Sequence, residues 1–551
     1  MASPALEVRG LTVSLPAGSD RRFAVKDAGF DLNENEILCV VGESGSGKTL
    51  MARAIMGLLP GPAVYVSGGE IEFEGEDLLA VSDVRMREIR GSSISMIFQE
   101  PMTALNPLMT IGEQIAEVLH VHTDLSAERR RERVLAILEA VYLPDPPAIF
   151  SAFAHQLSGG QRQRAMIAMA LILEPKIIIA DEPTTALDVT TQAQILKLIA
   201  EIQRKHGTSV LYITHDFGVV AEIADRVAVM NDGEIVELGV ADDVLNRPKV
   251  PYTQSLIAAV PDLKPPARPR DDKGNGRAGE VVLEATGLRK TFVSGGGLFG
   301  GHRREVQAVR HANFQLRRGE TIGIVGESGS GKSTLARLVI RLISADAGEV
   351  LIDGLDILKL SGPDMRRYRG RIQMVFQDPF ASLNPRYKVG RIIAEGPLQS
   401  GLSRRAALRR VHDLLDLVGL DKRAVDRFPH EFSGGQRQRI GIARALALDP
   451  EILIADEPVS ALDVSVQDQI LRLFADIQKR SQLAIMFITH DLCVAAQVCD
   501  RIAVMCRGEI VEQGLTAEVF AAPQHEYTRT LLASVPGQGR APGGSAIPGS
   551  K

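Results

Sequence analysis

The chain has 551 residues, which at roughly 100–200 residues per domain allows about three or four domains or subdomains. Hydrophobic residues make up 45%, an ordinary globular share that lets each half bury its own core. The 63 basic and 68 acidic residues leave a net charge of −5, so no overall basic excess points to nucleic acid.

The start, Met1 to Gly10, has no basic-then-apolar signal layout, and no run of about 18 uninterrupted apolar residues follows. No membrane span is predicted. The four cysteines are Cys39, Cys493, Cys499 and Cys506. None forms a C-x-x-C pair, so they read as reduced core thiols, which suits the cytosol.

In chain order, the first strong element is the apolar run Ile37 to Val41, read as a buried strand. Gly42-Glu43-Ser44-Gly45-Ser46-Gly47-Lys48-Thr49 follows, then a helix-forming run from Leu50 to Met56. The eight residues fit the phosphate-binding P-loop pattern in its strand–loop–helix context. Glycines let backbone N–H groups close around phosphate oxygens, and the helix N-terminus adds partial positive charge. Lys48 suits the β- and γ-phosphates, and the Thr49 hydroxyl suits Mg²⁺. A plain glycine-rich connector is the bland alternative, and recurrence of the motif weighs against it.

Glu70 to Phe73 reads as a strand of an antiparallel portion. Gln99 follows another apolar run. Ile111 to Leu143 is helical in pattern, and the run Arg129 to Arg133 reads as a solvated helix face. Ser158-Gly159-Gly160-Gln161 then precedes a helical run, with serine as N-cap and glycines that free the backbone. This pattern supports either a second anion-binding helix start or an ordinary capped helix. Next comes Lys176 to Ala180, an apolar strand pattern ending in Asp181-Glu182. Carboxylates at a strand's C-terminal end lie where open α/β sheets bind ligands. Asp181 suits the Mg²⁺ shell and Glu182 suits polarising water. His215 follows a further apolar strand.

Everything then repeats. Thr321 to Val325 leads into Gly326-Glu327-Ser328-Gly329-Ser330-Gly331-Lys332-Ser333. Gln377, Ser433-Gly434-Gly435-Gln436, Asp456-Glu457 and His490 follow in the same order. Alternating short strand and helix patterns make each half α/β. The halves are placed at 1–260 and 280–536. The Pro- and charge-rich stretch 261–279 is read as a linker, Ser294 to Arg304 as an insertion, and 537–551 as a disordered tail.

This order of motifs resembles an ABC transporter ATPase with two fused nucleotide-binding domains, over nearly the whole chain. The resemblance implies two tandem P-loop (RecA-like) domains, each with an antiparallel β portion and a helical signature subdomain. It implies ATP and Mg²⁺ as ligands. It also implies that each ATP lies between the P-loop of one domain and the Ser-Gly-Gly-Gln of the other. Site one would be Gly42–Thr49, Gln99, Asp181, Glu182 and His215, closed by Ser433–Gln436. Site two would be Gly326–Ser333, Gln377, Asp456, Glu457 and His490, closed by Ser158–Gln161. In the family role the histidines contact the γ-phosphate and orient water. Gln99 and Gln377 touch Mg²⁺ or water and relay nucleotide state. Both sites keep every chemical residue, so both are expected to be competent.

One departure concerns adenine, which the family stacks on an aromatic of the first strand region. The second half supplies Phe292. The first has Leu15 at that place, and Phe23, a conceivable substitute, aligns with Gln307.

After each core lies a Pro-Tyr-Thr segment, Pro251-Tyr252-Thr253 and the related Glu526-Tyr527-Thr528. Taken alone, each reads as a turn leading into a short amphipathic helix. They resemble the segment found in the dipeptide/oligopeptide/nickel importer family, whose fused members include glutathione and microcin-type peptide importers. That implies two inner-membrane permease subunits as partners and, indirectly, a periplasmic or extracellular solute-binding protein. It places the chain on the cytoplasmic face of a bacterial inner membrane. Some members hold an iron–sulfur cluster in this tail; without cysteines there, none is expected. The rival is a soluble tandem ABC ATPase acting on ribosomes or nucleic acid, which the short Pro-rich linker does not favour.

Overall fold

A computed structural model describes residues 4–184, 187–266, 279–294, 304–460 and 462–537. Most of the expected linker, insertion and tail lie outside the described residues. The chain forms two compact units, Met1–Val260 together with Ser534–Lys551, and Pro261–Ala533.

In the first unit, a six-stranded sheet runs in the order Glu234–Val240, Arg226–Asn231, Ile37–Val41, Ser209–Ile213, Ile177–Asp181, Ile94–Ile97. All its pairings are parallel except the outermost, between Arg226–Asn231 and Glu234–Val240. The central strands are buried throughout and apolar but for Asp181 and Ser209 at their ends, because both faces are covered. Successive side chains point to opposite faces, so one strand feeds two cores. Ile37, Cys39 and Val41 join a core with the helices Ile111–His122, Ala127–Ala140 and Gly159–Leu171. Leu38 and Val40 join a second core against the antiparallel sheet formed by Leu6–Ser14, Phe23–Leu32, Tyr65–Phe73 and Glu76–Asp77. The expected strand at Glu70 to Phe73 is the end of Tyr65–Phe73, antiparallel to Leu6–Ser14.

The helical layer starts from strong caps. The Thr110 side chain accepts from the Glu113 N–H and the Glu113 carboxylate accepts in return; Ser126 caps the following helix. The arginine run is used locally on an exposed face. Arg131 lies 4.3 Å over the Phe150 ring, and Arg130 donates to the Leu125 carbonyl.

The second unit repeats this plan. Its parallel strands run Arg501–Cys506, Thr321–Val325, Ala484–Thr489, Ile452–Asp456, Ile372–Val375. Glu509–Leu515 lies antiparallel beside Arg501–Cys506, and its bridge from Glu509 to His311 joins the sheet to the antiparallel strands Val281–Ser294, Arg304–Arg317, Ala347–Ile352 and Leu355–Asp356. All four cysteines are free thiols. Burial pushes the Cys39 thiol far up, so it stays protonated. No described helix is long and apolar enough to cross a membrane.

Candidate functional site

Parallel strands end on one edge of the sheet. In the first unit, four adjacent strands each deliver one part of the constellation there. Val41 leads into Gly42, Ile213 precedes His215, Asp181 closes its strand, and Ile97 precedes Gln99. In the second unit Val325, Thr489, Asp456 and Val375 end the corresponding strands before Gly326, His490, Glu457 and Gln377.

The P-loops need glycine at defined points. Gly42 has φ +154°, and a Cβ there would meet the Met230 carbonyl oxygen at 2.1 Å. Gly326 has φ +150° and the same conflict with Met505 at 2.2 Å. Lys48 and Lys332 are buried as the first residues of their helices. Lys48 Nζ donates to the carbonyls of Gly42 and Glu43, both at 2.8 Å. Lys332 Nζ donates to those of Gly326 and Glu327, at 2.8 and 2.7 Å.

Beside each lysine a hydroxyl meets a carboxylate. Thr49 Oγ1 donates to Asp181 Oδ1 at 3.1 Å, and Ser333 Oγ to Asp456 Oδ1 at 3.0 Å. Burial pushes the Asp181 carboxyl up to about 6, and the same cause raises Asp456. In each unit, a buried carboxylate beside a hydroxyl makes an all-oxygen donor pair that fits Mg²⁺.

The next residue on each strand is the acid expected to activate water. Glu182 and Glu457 have φ +46° and +45°, in the left-handed region that non-glycine residues seldom adopt. Each carboxylate is gripped on both sides. Gln99 Nε2 donates to Glu182 Oε2 at 2.8 Å, and His215 Nδ1 lies 3.2 Å from Oε1. Gln377 and His490 hold Glu457 in the same way, at 2.8 and 3.3 Å. Burial alone would raise Glu457, but the hydrogen bond and charge of His490, together with Lys332 and Ser460, bring the carboxyl below its usual range. For His490, burial opposes the charge and contact with Glu457 prevails, so its pKa is raised.

Ser158 and Ser433 are N-caps of Gly159–Leu171 and Gly434–Leu446. Each serine accepts from the N–H three residues on, and Gln161 or Gln436 accepts from the serine N–H in return. Within each unit the motif is thus a helix start with a reciprocal cap.

Phe292 is 44% exposed, with Lys290 Nζ 5.7 Å from its ring. Its cross-strand partner is Val306. Leu15 instead packs partly buried against the core, and its N–H bonds the Arg22 carbonyl. Phe23 is covered by the Arg22 guanidinium at 5.0 Å. Sequence reasoning passed over Arg21, whose guanidinium donates to the Gly45 carbonyl of the P-loop and lies 3.8 Å from Asp232. The available signal was an Arg-Arg pair in one half where the other has Glu305-Val306.

Comparison with known proteins finds relatives over nearly the whole chain. The family model "ABC transporter" matches residues 25–185 and 309–460. The model "Oligopeptide/dipeptide transporter, C-terminal region" matches 236–287 and 511–550. A "Glutathione import ATP-binding protein GsiA" of Salmonella paratyphi A is 47% identical, covering 96% of this chain and 89% of the relative. A "Peptidoglycan transport ATP-binding protein YejF" of Agrobacterium fabrum is also 47% identical, covering 96% of each. A solved dimeric post-hydrolysis state of the ATP-binding cassette MJ0796, bound to ADP and Pi, is 30% identical over 43% of this chain and 98% of that one, with a TM-score of 0.40. Two matched cassettes, each with a complete P-loop edge, and full-length relatives make this chain a member of the ABC transporter family, a tandem ATP-binding and ATP-hydrolysing subunit.

Proposed function

We propose that the chain energises import of peptides or related small solutes through a separate permease of the bacterial inner membrane, working at its cytoplasmic face. The observation that carries this reading is the twofold occurrence of one arrangement, a half-buried acid gripped by Gln and His beside a lysine-bearing P-loop. The C-terminal extensions matched by the oligopeptide/dipeptide model and the import names of the relatives favour the solute class.

In this reading the P-loop N–H groups and Lys48 or Lys332 bind the ATP phosphates. Thr49 with Asp181, and Ser333 with Asp456, would hold Mg²⁺, which neutralises phosphate charge when bound. Glu182 and Glu457 take the proton of the attacking water. Gln99 with His215, and Gln377 with His490, keep each carboxylate aimed. Ser158–Gln161 and Ser433–Gln436 serve as the signature motifs that contact nucleotide. Phe292 carries adenine in the second site. Partners are two permease subunits and, indirectly, a solute-binding protein, with no iron–sulfur cluster.

The test is Glu182→Gln and Glu457→Gln, made separately in the assembled transporter. Each should abolish most ATP-driven uptake; a variant that keeps parent ATPase and transport would refute two competent sites. A pull-down recovering permease subunits supports the import reading, and recovery of ribosomes instead would overturn it.

A further inference from the structure

The Pro-Tyr-Thr segments reach the P-loops, a placement no motif announced. The loop before Pro251–Ala258 is pinned by Glu237, whose carboxylate accepts from the N–H groups of Lys249 and Val250 at 2.8 and 3.3 Å. The helix is rooted by Thr253 and Leu256, both buried. From this fixed base the Tyr252 hydroxyl oxygen accepts a hydrogen bond from the Glu43 N–H at 3.4 Å. The second unit builds the same device. Glu512 accepts from the N–H groups of Gln524 and His525 at 2.7 and 3.0 Å, and Thr528 and Leu531 are buried. The Tyr527 hydroxyl accepts from the Glu327 N–H at 3.1 Å.

The bonded N–H belongs to the peptide group between Gly42 and Glu43. Its carbonyl, on Gly42, is one of the two that accept Lys48 Nζ. A peptide group is planar, so its two ends move together. One plane is therefore held at one end by the phosphate-binding lysine and at the other by the extension. The Gly326–Glu327 peptide is held likewise by Lys332 and Tyr527. Two hydrogen bonds on one amide polarise each other, so a change in one is felt in the other. The ammonium has three donors, and phosphate oxygens that draw on them change its hold on the carbonyl.

We propose that Tyr252 and Tyr527 are positioning residues that couple each C-terminal extension to nucleotide occupancy of its own P-loop. The hydroxyl fixes the entry peptide of the loop, and the extension in turn packs according to whether the lysine engages phosphate. By linkage the coupling runs both ways. This rests on the P-loops being the nucleotide sites.

The test uses the full chain with Tyr252→Phe, Tyr527→Phe or both, changes that remove only the hydroxyl. Losing one neutral hydrogen bond should raise the KM for ATP about 5-fold at that site while kcat stays within about 2-fold. Each site is read with the other P-loop lysine replaced by alanine. In parallel, hydrogen exchange of residues 251–258 and 526–533 is followed with and without Mg·ATP on a Glu182→Gln, Glu457→Gln background. The parent should gain protection in both helices on binding, and each Phe variant should lose that gain in its own helix. Unchanged KM together with unchanged exchange in the Phe variants would overturn the proposal. If the parent itself binds no ATP, it is the nucleotide-site reading that has failed.

Discussion

The two units share their chemistry to within a few tenths of an ångström and differ around it. At the catalytic edge, Gln99–Glu182–His215 and Gln377–Glu457–His490 have matching distances. At the outer strands they diverge. The first unit has Leu15 turned to the core with Arg21 bonded to the P-loop, and the second has an exposed Phe292 with Glu305 in place of Arg21. Beyond the glutamines, the first unit exposes Met102 and Leu108. The second exposes Phe380, with Arg437 3.5 Å over its ring, and lays Arg391 3.6 Å over Tyr387. Residues that touch the reacting phosphates have little freedom, because a shift of an ångström costs catalysis heavily. Under the proposed function, residues that would hold the base or face a permease can differ between halves without such a loss.

The hardest test of catalytic equivalence is the acid. Glu182→Gln and Glu457→Gln should each lower hydrolysis at their own site by about 10²–10⁴-fold, measured with the other site silenced at its lysine. A tenfold gap between the two losses would break the equivalence. Next comes backbone geometry. Gly42→Ala and Gly326→Ala should both abolish nucleotide binding, because the new methyl would lie 2.1 or 2.2 Å from a carbonyl oxygen. Gly45→Ala meets no atom within 4 Å and should cost only conformational strain, about 1–3 kcal/mol, read as a smaller fall in thermal stability.

The base end should separate the sites. With Lys332→Ala silencing the second site, Arg21→Ala should weaken ATP binding about 2- to 5-fold, the scale of losing its one hydrogen bond to the P-loop carbonyl of Gly45. With Lys48→Ala, Phe292→Ala should weaken the second site similarly, and Arg21→Ala should do nothing there. Equal effects of Arg21→Ala on both sites would erase the distinction. The smallest effect is on stability and pH in the second unit. His490 has a raised pKa, so its contribution is complete below pH 6.5 and fades as pH rises through the raised value. Glu457 has a lowered pKa, so its contribution is complete above pH 4.5 and fades as pH falls through the lowered value. Between those limits the pair is fully charged. His490→Gln should therefore destabilise this unit more at pH 5.5 than at pH 9, by chemical denaturation.

Much of this was legible in residues. Ile37 to Val41 and Ile177 to Asp181 are strands because unbroken apolar runs of that length suit a sheet covered on both faces. Gly42 and Gly47 announced a loop whose backbone side chains would block. Glu182 was legible as an acid at a strand end, but its left-handed backbone was not, since no residue pattern encodes strain. Tyr252 was legible only as part of a turn and helix start, because its hydroxyl partner is more than two hundred residues away in the chain.

By itself the sequence determined which chemical groups exist and how often. Two lysines, two Asp-Glu pairs, two glutamines and two histidines in repeated order require two P-loop cassettes. Only the tertiary structure decided who meets whom. The strand order sets His215 between the P-loop strand and the acid strand, and parallel pairing brings four chain-distant strand ends to one edge. The same is true of the Gly42–Glu43 peptide, held between Lys48 and Tyr252. The reason is physical: local patterns fix burial and backbone preference, whereas hydrogen-bond partners across a sheet are selected by packing the whole unit at once.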